Sequence, residues 1–325
     1  DKTFLEEMEY QANWLGDAAE HLLSHHKWDL FLLQWHGLNH AQHAFWGGID
    51  PVSPWYSEER ASKYWGYFKR FYGMADRMVG KIIKNADEET LIIVVSDHGH
   101  IPYVYGAAMV GNALAKAGLL KYKKKDGDKI EILWDETKAY AYSIHVYVNL
   151  KGREPRGIVE EGEEYEETCD RIIAALYSIR DPKGRCPIAV ALRRREAELI
   201  GLGGDRVGDV IYATSPGFIS LCEITEDGET FHFPRGALSV TDDFGKARSG
   251  PLPANTSIHG TGLPSIKLGL GSLSVPLIAK GEGIKRGYVL NKRFRLIDIA
   301  PTIAYYLGIP LPKDCEGSVI SEIFE

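Results

Sequence analysis

Leu91-Ile92-Ile93-Val94-Val95-Ser96-Asp97-His98-Gly99 is the stretch that decides the reading of this chain. Five consecutive apolar residues, four of them β-branched, predict a strand buried on both faces, as in a parallel sheet. The strand ends in a carboxylate and an imidazole side by side, both strong metal ligands. Open α/β sheets hold their ligands at the carboxyl ends of their strands, which is where Asp97 and His98 fall. A tripeptide is weak evidence alone. Two more elements strengthen it: Trp35-His36-Gly37-Leu38-Asn39-His40-Ala41-Gln42-His43 and Ile258-His259-Gly260. Together they predict a split metal site suited to phosphate chemistry.

The surrounding pattern is that of an α/β chain. Phe4, Leu5, Met8, Ala12, Leu15, Ala18, Ala19, Leu22 and Leu23 recur at helical spacing, and Leu30 to Leu33 reads as a buried strand. A turn is expected around Gly47 to Pro51. Ser57 then N-caps a second helix that carries Tyr64, Tyr67, Phe68, Phe71, Met78 and Ile82 on one stripe. Gly106 to Leu120, rich in alanine, reads as a third helix. This alternation predicts an α/β fold with a doubly wound, mainly parallel sheet.

Residues 121–235 break the pattern. Lys121 to Lys129 reads as a charged turn, Tyr140 to Leu150 alternates like a strand, and Tyr165, Cys169, Ile172, Ile173, Leu176 and Ile179 share a helical face. We expect an inserted α+β segment or lid here, between core portions 1–120 and 236–325. The last portion returns to α/β form, with a strand at Val275 to Ala279 and a helix that Asp298 caps and Gly308 ends.

Composition narrows the function classes. With 325 residues, 44% of them hydrophobic, the chain can bury a large core. A net charge of −7 argues against a nucleic-acid coat role, because phosphate backbones need a basic surface. Cys169, Cys186, Cys222 and Cys315 lie far apart, which excludes a zinc knuckle or a dense disulfide framework. A reduced, cytoplasmic compartment is the expectation. No apolar run is long enough to span a membrane, and no signal-peptide pattern is visible. Arg193-Arg194-Arg195, flanked by Glu196 and Glu198, reads as a solvated face, and Arg153 as a salt-bridge residue.

The candidate ligands have a chemical logic. Asn39 and His43 share a helix face, with His36 and His40 nearby, and neutral imidazole suits zinc. His259 lies in a loop with Gly260 and Gly262, the kind of segment that carries ligands to a scaffolded site. His100, just past the Asp97-His98 pair, is expected to support the ligands or touch substrate, as are His36 and His40. Two zinc ions roughly 4 Å apart would account for ligands arriving in two groups.

The ordered set Gln42-His43-Ala44-Phe45-Trp46, Ser96-Asp97-His98-Gly99, Ile258-His259-Gly260 and Leu296-Ile297-Asp298-Ile299-Ala300-Pro301-Thr302 resembles the alkaline phosphatase superfamily. It is most similar to the type I phosphodiesterase/nucleotide pyrophosphatase branch. Asn149 to Glu154 and Leu307 to Pro312 agree with it. The resemblance implies an alkaline-phosphatase-like sheet and a metal-dependent phosphoesterase acting on a phosphodiester or nucleotide pyrophosphate. It implies two divalent ions, zinc by preference: one held by Asn39, His43 and His259, the other by Asp97 and His98. The family has an aspartate where this chain has Asn39, a neutral donor. It also has an earlier strand–helix unit bearing a Ser or Thr nucleophile and a further aspartate, which has no counterpart in these residues. Ser96, Thr256, Ser257 and Thr261 do not follow a strand in the right order to replace that nucleophile. A phosphomutase or sulfatase of the same fold, or a degenerate relative that only binds metal or ligand, is the alternative.

Overall fold

The apolar stripes become helices in the computed structural model, which describes residues 2–102, 104–125, 129–232, 256–259 and 275–325. In chain order come α1 (Lys2–His25), α2 (Gly37–Phe45), α3 (Glu58–Lys84), β1 (Ile92–Val95), β2 (Ile101–Pro102), β3 (Gly106–Met109) and α4 (Val110–Lys116). Then follow β4 (Tyr122–Lys125), β5 (Lys129–Ile132), β6 (Ala139–Tyr142), β7 (His145–Val148), α5 (Glu163–Ser178), β8 (Ile188–Arg193) and α6 (Arg194–Ala197). The order closes with β9 (Val210–Thr214), β10 (Phe218–Leu221), β11 (Phe231–His232), β12 (Ser257–Ile258), β13 (Leu277–Lys280) and α7 (Ile299–Tyr306). The chain is an α/β fold with mixed sheets. It divides into two units, one of residues 1–39, 66–98 and 275–325, the other of residues 40–65 and 99–274.

In the first unit, α1 buries Leu5, Met8, Ala12, Gly16, Ala19 and Leu23, the face its periodicity predicts. This face packs on the 66–84 part of α3. Phe4 meets Phe71 at 5.9 Å between ring centroids, Glu9 pairs with Arg70 and Arg77, and Asp17 pairs with Lys81. Partners advance together along both helices, so α1 and α3 run parallel. β1 departs from expectation. It pairs antiparallel with β13, with Val95 opposite Leu277, and leaves Val94 and Val95 about two-fifths exposed. Leu30 to Leu33 forms no strand, and Leu32 is largely exposed, because a short apolar run fixes no element by itself. α7 ends as read: Gly308 at φ +64 sends its N–H to Tyr305 O while Ile309 N–H reaches Ala304 O, a left-handed glycine cap. Asp298 does not cap α7 with its side chain. Its carboxylate accepts from the Arg295 and Ser318 N–H groups instead, closing the turn that precedes the helix.

The second unit holds the larger core. α4 and α5 cover a four-stranded antiparallel sheet of order β6-β7-β9-β8, burying Leu114, Ile172, Leu176, Val146, Val210 and Tyr212. A three-stranded sheet, β10-β3-β11, joins β10 to β3 in parallel and β11 to β3 antiparallel. The sheets are therefore mixed where strand–helix alternation predicts mainly parallel pairing. Gly106 to Leu120 is part strand and part helix, and Tyr140 to Leu150 is a hairpin that turns at Ser143, whose φ is 55. Where a charged turn was expected over 121–129, Tyr122–Lys125 is the strand β4, paired antiparallel with β5, and residues 126–128 lie outside the described residues. Ser57 is a true N-cap: its hydroxyl accepts from Arg60 N–H at 3.2 Å.

Arg153 is more buried in its interactions than a surface salt bridge. It grips Asp209, whose side chain is fully buried, through two bonds of 2.7 and 2.6 Å. Arg193 and Arg195 pair with Glu166, and Arg193 also with Asp170. Arg194 reaches Asp209 at 3.4 Å, so the arginine triplet is only partly a solvated face. Among the described residues no helix is long and apolar enough to cross a membrane.

Candidate metal centre

The site begins at the end of a short helix. α2 has nine residues, and its last carbonyls have no intrahelical donors. The segment around β12, more than two hundred residues later, supplies them. Thr256 N–H donates to His43 O at 2.8 Å, the Thr256 hydroxyl to the same oxygen at 3.1 Å, and the Ser257 hydroxyl to Gln42 O at 2.7 Å. Gly47 N–H donates back to the Thr256 hydroxyl at 3.0 Å. Thr256 and Ser257 are completely buried, which explains why neither is an exposed nucleophile.

β12 also pairs antiparallel with β2, Ser257 opposite Pro102 and Ile258 opposite Ile101. Ile258 packs against the cluster of Trp55, Ala107, Met109 and Ile219, which fixes the strand. Continuing the register by one residue sets His259 opposite His100, where cross-strand side chains meet. His43, in the last turn of α2, completes the group. Its ring centroid lies 4.5 Å from that of His100 and 5.1 Å from that of His259, and the latter two are 5.0 Å apart. One ligand atom from each histidine lies within 4.8 Å of the others. Nitrogens sharing one tetrahedral zinc stand about 3.3 Å apart, so binding would draw the rings modestly inward.

The donor chemistry fits a metal. His43 Nδ1 lies 2.8 Å from the Ser257 carbonyl oxygen, which can only accept. That ring therefore carries its proton on Nδ1 and has its lone pair on Nε2, the state a ligand needs. Three imidazoles suit zinc far better than magnesium or calcium, which prefer oxygen. The carboxyl end of α2 adds partial negative charge beside the cluster.

The structure thus brings together His43 and His259, and adds His100, which the sequence placed only in a supporting role. Asn39 lies one turn before His43 on α2, His40 on the same helix, and His36 just ahead of it. Asp97 and His98 follow β1 in the first unit. There Asp97 accepts from His98 N–H at 3.1 Å and stands 3.5 Å from the His98 ring, while the Ser96 hydroxyl donates to His98 O. Gly260, Thr261 and Gly262 lie outside the described residues. The sequence held one trace of the third histidine: His98-Gly99-His100-Ile101 and Ser257-Ile258-His259 each place a histidine beside an isoleucine at a strand end.

Gly47 has a steric role here. A Cβ at this position would lie 2.5 Å from Thr256 Cβ, too close for either residue to stay in place. Gly47→Ala is expected to displace β12 from α2, cost about 1–3 kcal/mol as overpacking does, and weaken zinc binding. Thermal melts and a zinc titration of the variant check both effects.

Comparison with known proteins agrees with the motifs. The family model of type I phosphodiesterase / nucleotide pyrophosphatase matches residues 4–238. Wild-type alkaline phosphatase PafA is 16% identical, with 79% of this chain and 43% of that one covered and a TM-score of 0.46. A crystal structure of PafA with four substitutions is 17% identical over 79% and 42% of the two chains, again with a TM-score of 0.46. The chain therefore spans less than half the length of these solved structures. No curated protein matches it. The match over residues 4–238 takes in His43, Asp97, His98 and His100, and with that coverage the chain belongs to the type I phosphodiesterase/nucleotide pyrophosphatase family.

Proposed function

We propose that this chain forms the metal-binding part of a zinc-dependent phosphoesterase that hydrolyses phosphodiester or nucleotide pyrophosphate bonds. The observation that carries the reading is the cluster of His43, His100 and His259, three imidazoles from three separate segments of the chain converging in a member of a phosphoesterase family. His43 and His259 hold the first ion in this reading, with Asn39 as a neutral amide donor from the same helix as His43. Asp97 and His98 serve a second ion, and His36 and His40 contact the substrate or steady the ligands. A bound ion supplies Lewis acidity at a phosphoryl oxygen. The chain's own part is to fix the imidazoles by main-chain and hydroxyl bonds before substrate arrives, so that little reorganisation accompanies reaction. The substrate is a small phosphate ester or nucleotide.

The test is a substrate panel on the natural full-length protein, with an aryl phosphodiester, an aryl phosphomonoester and an aryl sulfate. Diester hydrolysis that a chelator abolishes and zinc restores is the expected result. Preference for the sulfate would assign a sulfatase, and phosphoryl transfer without net hydrolysis a phosphomutase. Zinc-replete protein inactive on all three would overturn the enzyme reading in favour of a binding-only relative.

A further inference from the structure

We propose that Ser257 is a positioning residue that sets the tautomer of two histidines at once, His43 through its carbonyl and His100 through its hydroxyl. This rests on the metal reading above and adds the residue that makes the cluster ready to bind.

The argument follows the protons. The Ser257 carbonyl oxygen is 2.8 Å from His43 Nδ1 and has no proton to give, so the ring donates. The Ser257 hydroxyl has one proton, and Gln42 O, at 2.7 Å, can only accept it. That proton is then committed. His100 Nδ1, 3.0 Å from the same hydroxyl oxygen, must be the donor in its own contact. A directed chain results, from His100 Nδ1–H to Ser257 O–H to the Gln42 carbonyl. Both rings consequently carry hydrogen on Nδ1 and present Nε2 as the lone-pair nitrogen.

Burial makes this arrangement binding. Ser257 has no exposed surface and His100 is 5% exposed, so water is poorly placed to substitute for either partner. A neutral histidine side chain free in water favours the opposite form, with hydrogen on Nε2, which cannot ligate through that nitrogen. Ser257 reverses that preference. It sits in the same two-residue strand that caps α2 and precedes His259, so one short segment touches every member of the cluster.

The experiment measures zinc affinity and histidine tautomers in the metal-free state, the latter from side-chain 15N chemical shifts, for wild type and Ser257→Ala. The wild type should show both His43 and His100 protonated on Nδ1. In Ser257→Ala, His100 should move to the Nε2–H form while His43, whose acceptor is main chain, stays on Nδ1. Zinc affinity should fall about 10–100-fold, the usual effect of removing a partner that orients a ligand. A variant that merely loosened the fold would release both rings alike. Unchanged zinc affinity, or His100 still protonated on Nδ1 in the variant, would overturn the role of Ser257. If the variant does not fold, the wild-type spectrum decides: His100 protonated on Nε2 is the contrary result. Absence of zinc binding by the wild type would overturn the metal reading itself, a distinct failure.

Discussion

Alanine in place of His43 is expected to remove zinc binding almost completely. His43 gives the cluster its one imidazole from a helix, while His100 and His259 flank the paired strands β2 and β12. The ion would keep only two imidazoles and the weaker, neutral amide of Asn39. The loss should therefore exceed the roughly 10–100-fold that follows removal of a supporting partner. The fold should survive, because the two bonds from Thr256 run to the main-chain oxygen of His43 and persist in alanine, and only the ring's bond to the Ser257 carbonyl is lost. A competition titration against a chromogenic chelator, with circular dichroism alongside, checks both statements. Zinc affinity within a few-fold of wild type would show that His43 is not a ligand.

Asp209→Asn is expected to be the most destabilising single substitution in the second unit. The Asp209 carboxylate has no exposed surface and accepts from Arg153 twice, from Tyr165 at 3.0 Å and from Val148 N–H at 2.7 Å. Burial by itself would raise this carboxyl. Arg153, the Val148 N–H and Tyr165 outweigh burial and hold it below the usual carboxylate range. Breaking a buried pair costs about 3–5 kcal/mol. Arg153 is 30% exposed and keeps Glu154 as a neighbour, so the lower end, roughly 3 kcal/mol, applies. The pH dependence has a definite sign. A depressed carboxyl stabilises the fold above its unfolded value near about 4 and loses that contribution as pH falls through its folded value. The gap between wild type and variant should thus be full at neutral pH and close in acid. Denaturant melts across pH would show it, and a gap that widened in acid would contradict the assignment.

How much of this was legible in the sequence follows from which forces are local. The helix stripes of α1 and α5 and the Ser57 cap depend on residues a few positions apart, and they read correctly. Leu30 to Leu33 forms no strand, and β1 is the strand expected but antiparallel and half-exposed, because burial of an apolar run is decided by what pairs with it. The hairpin at Ser143 was hidden by an alternation that continues through the turn. At the site, His43 and His259 were legible as motif residues. His100 was not recognised as their equal, since its place depends on the register of two two-residue strands far apart in the chain. Ser257 was weighed as a nucleophile, and its buried hydroxyl turns out to be committed to Gln42 and His100. Asp97 and His98 read as motif residues too, and their role at a second ion remains a proposal.

The measurement that tests the central claim most directly is the zinc content of the purified chain after equilibrium dialysis at fixed free zinc. The account predicts saturable binding of at least one zinc per chain, lost in His43→Ala and His259→Ala. No zinc bound by the wild type, or zinc retained in full by both variants, would contradict it.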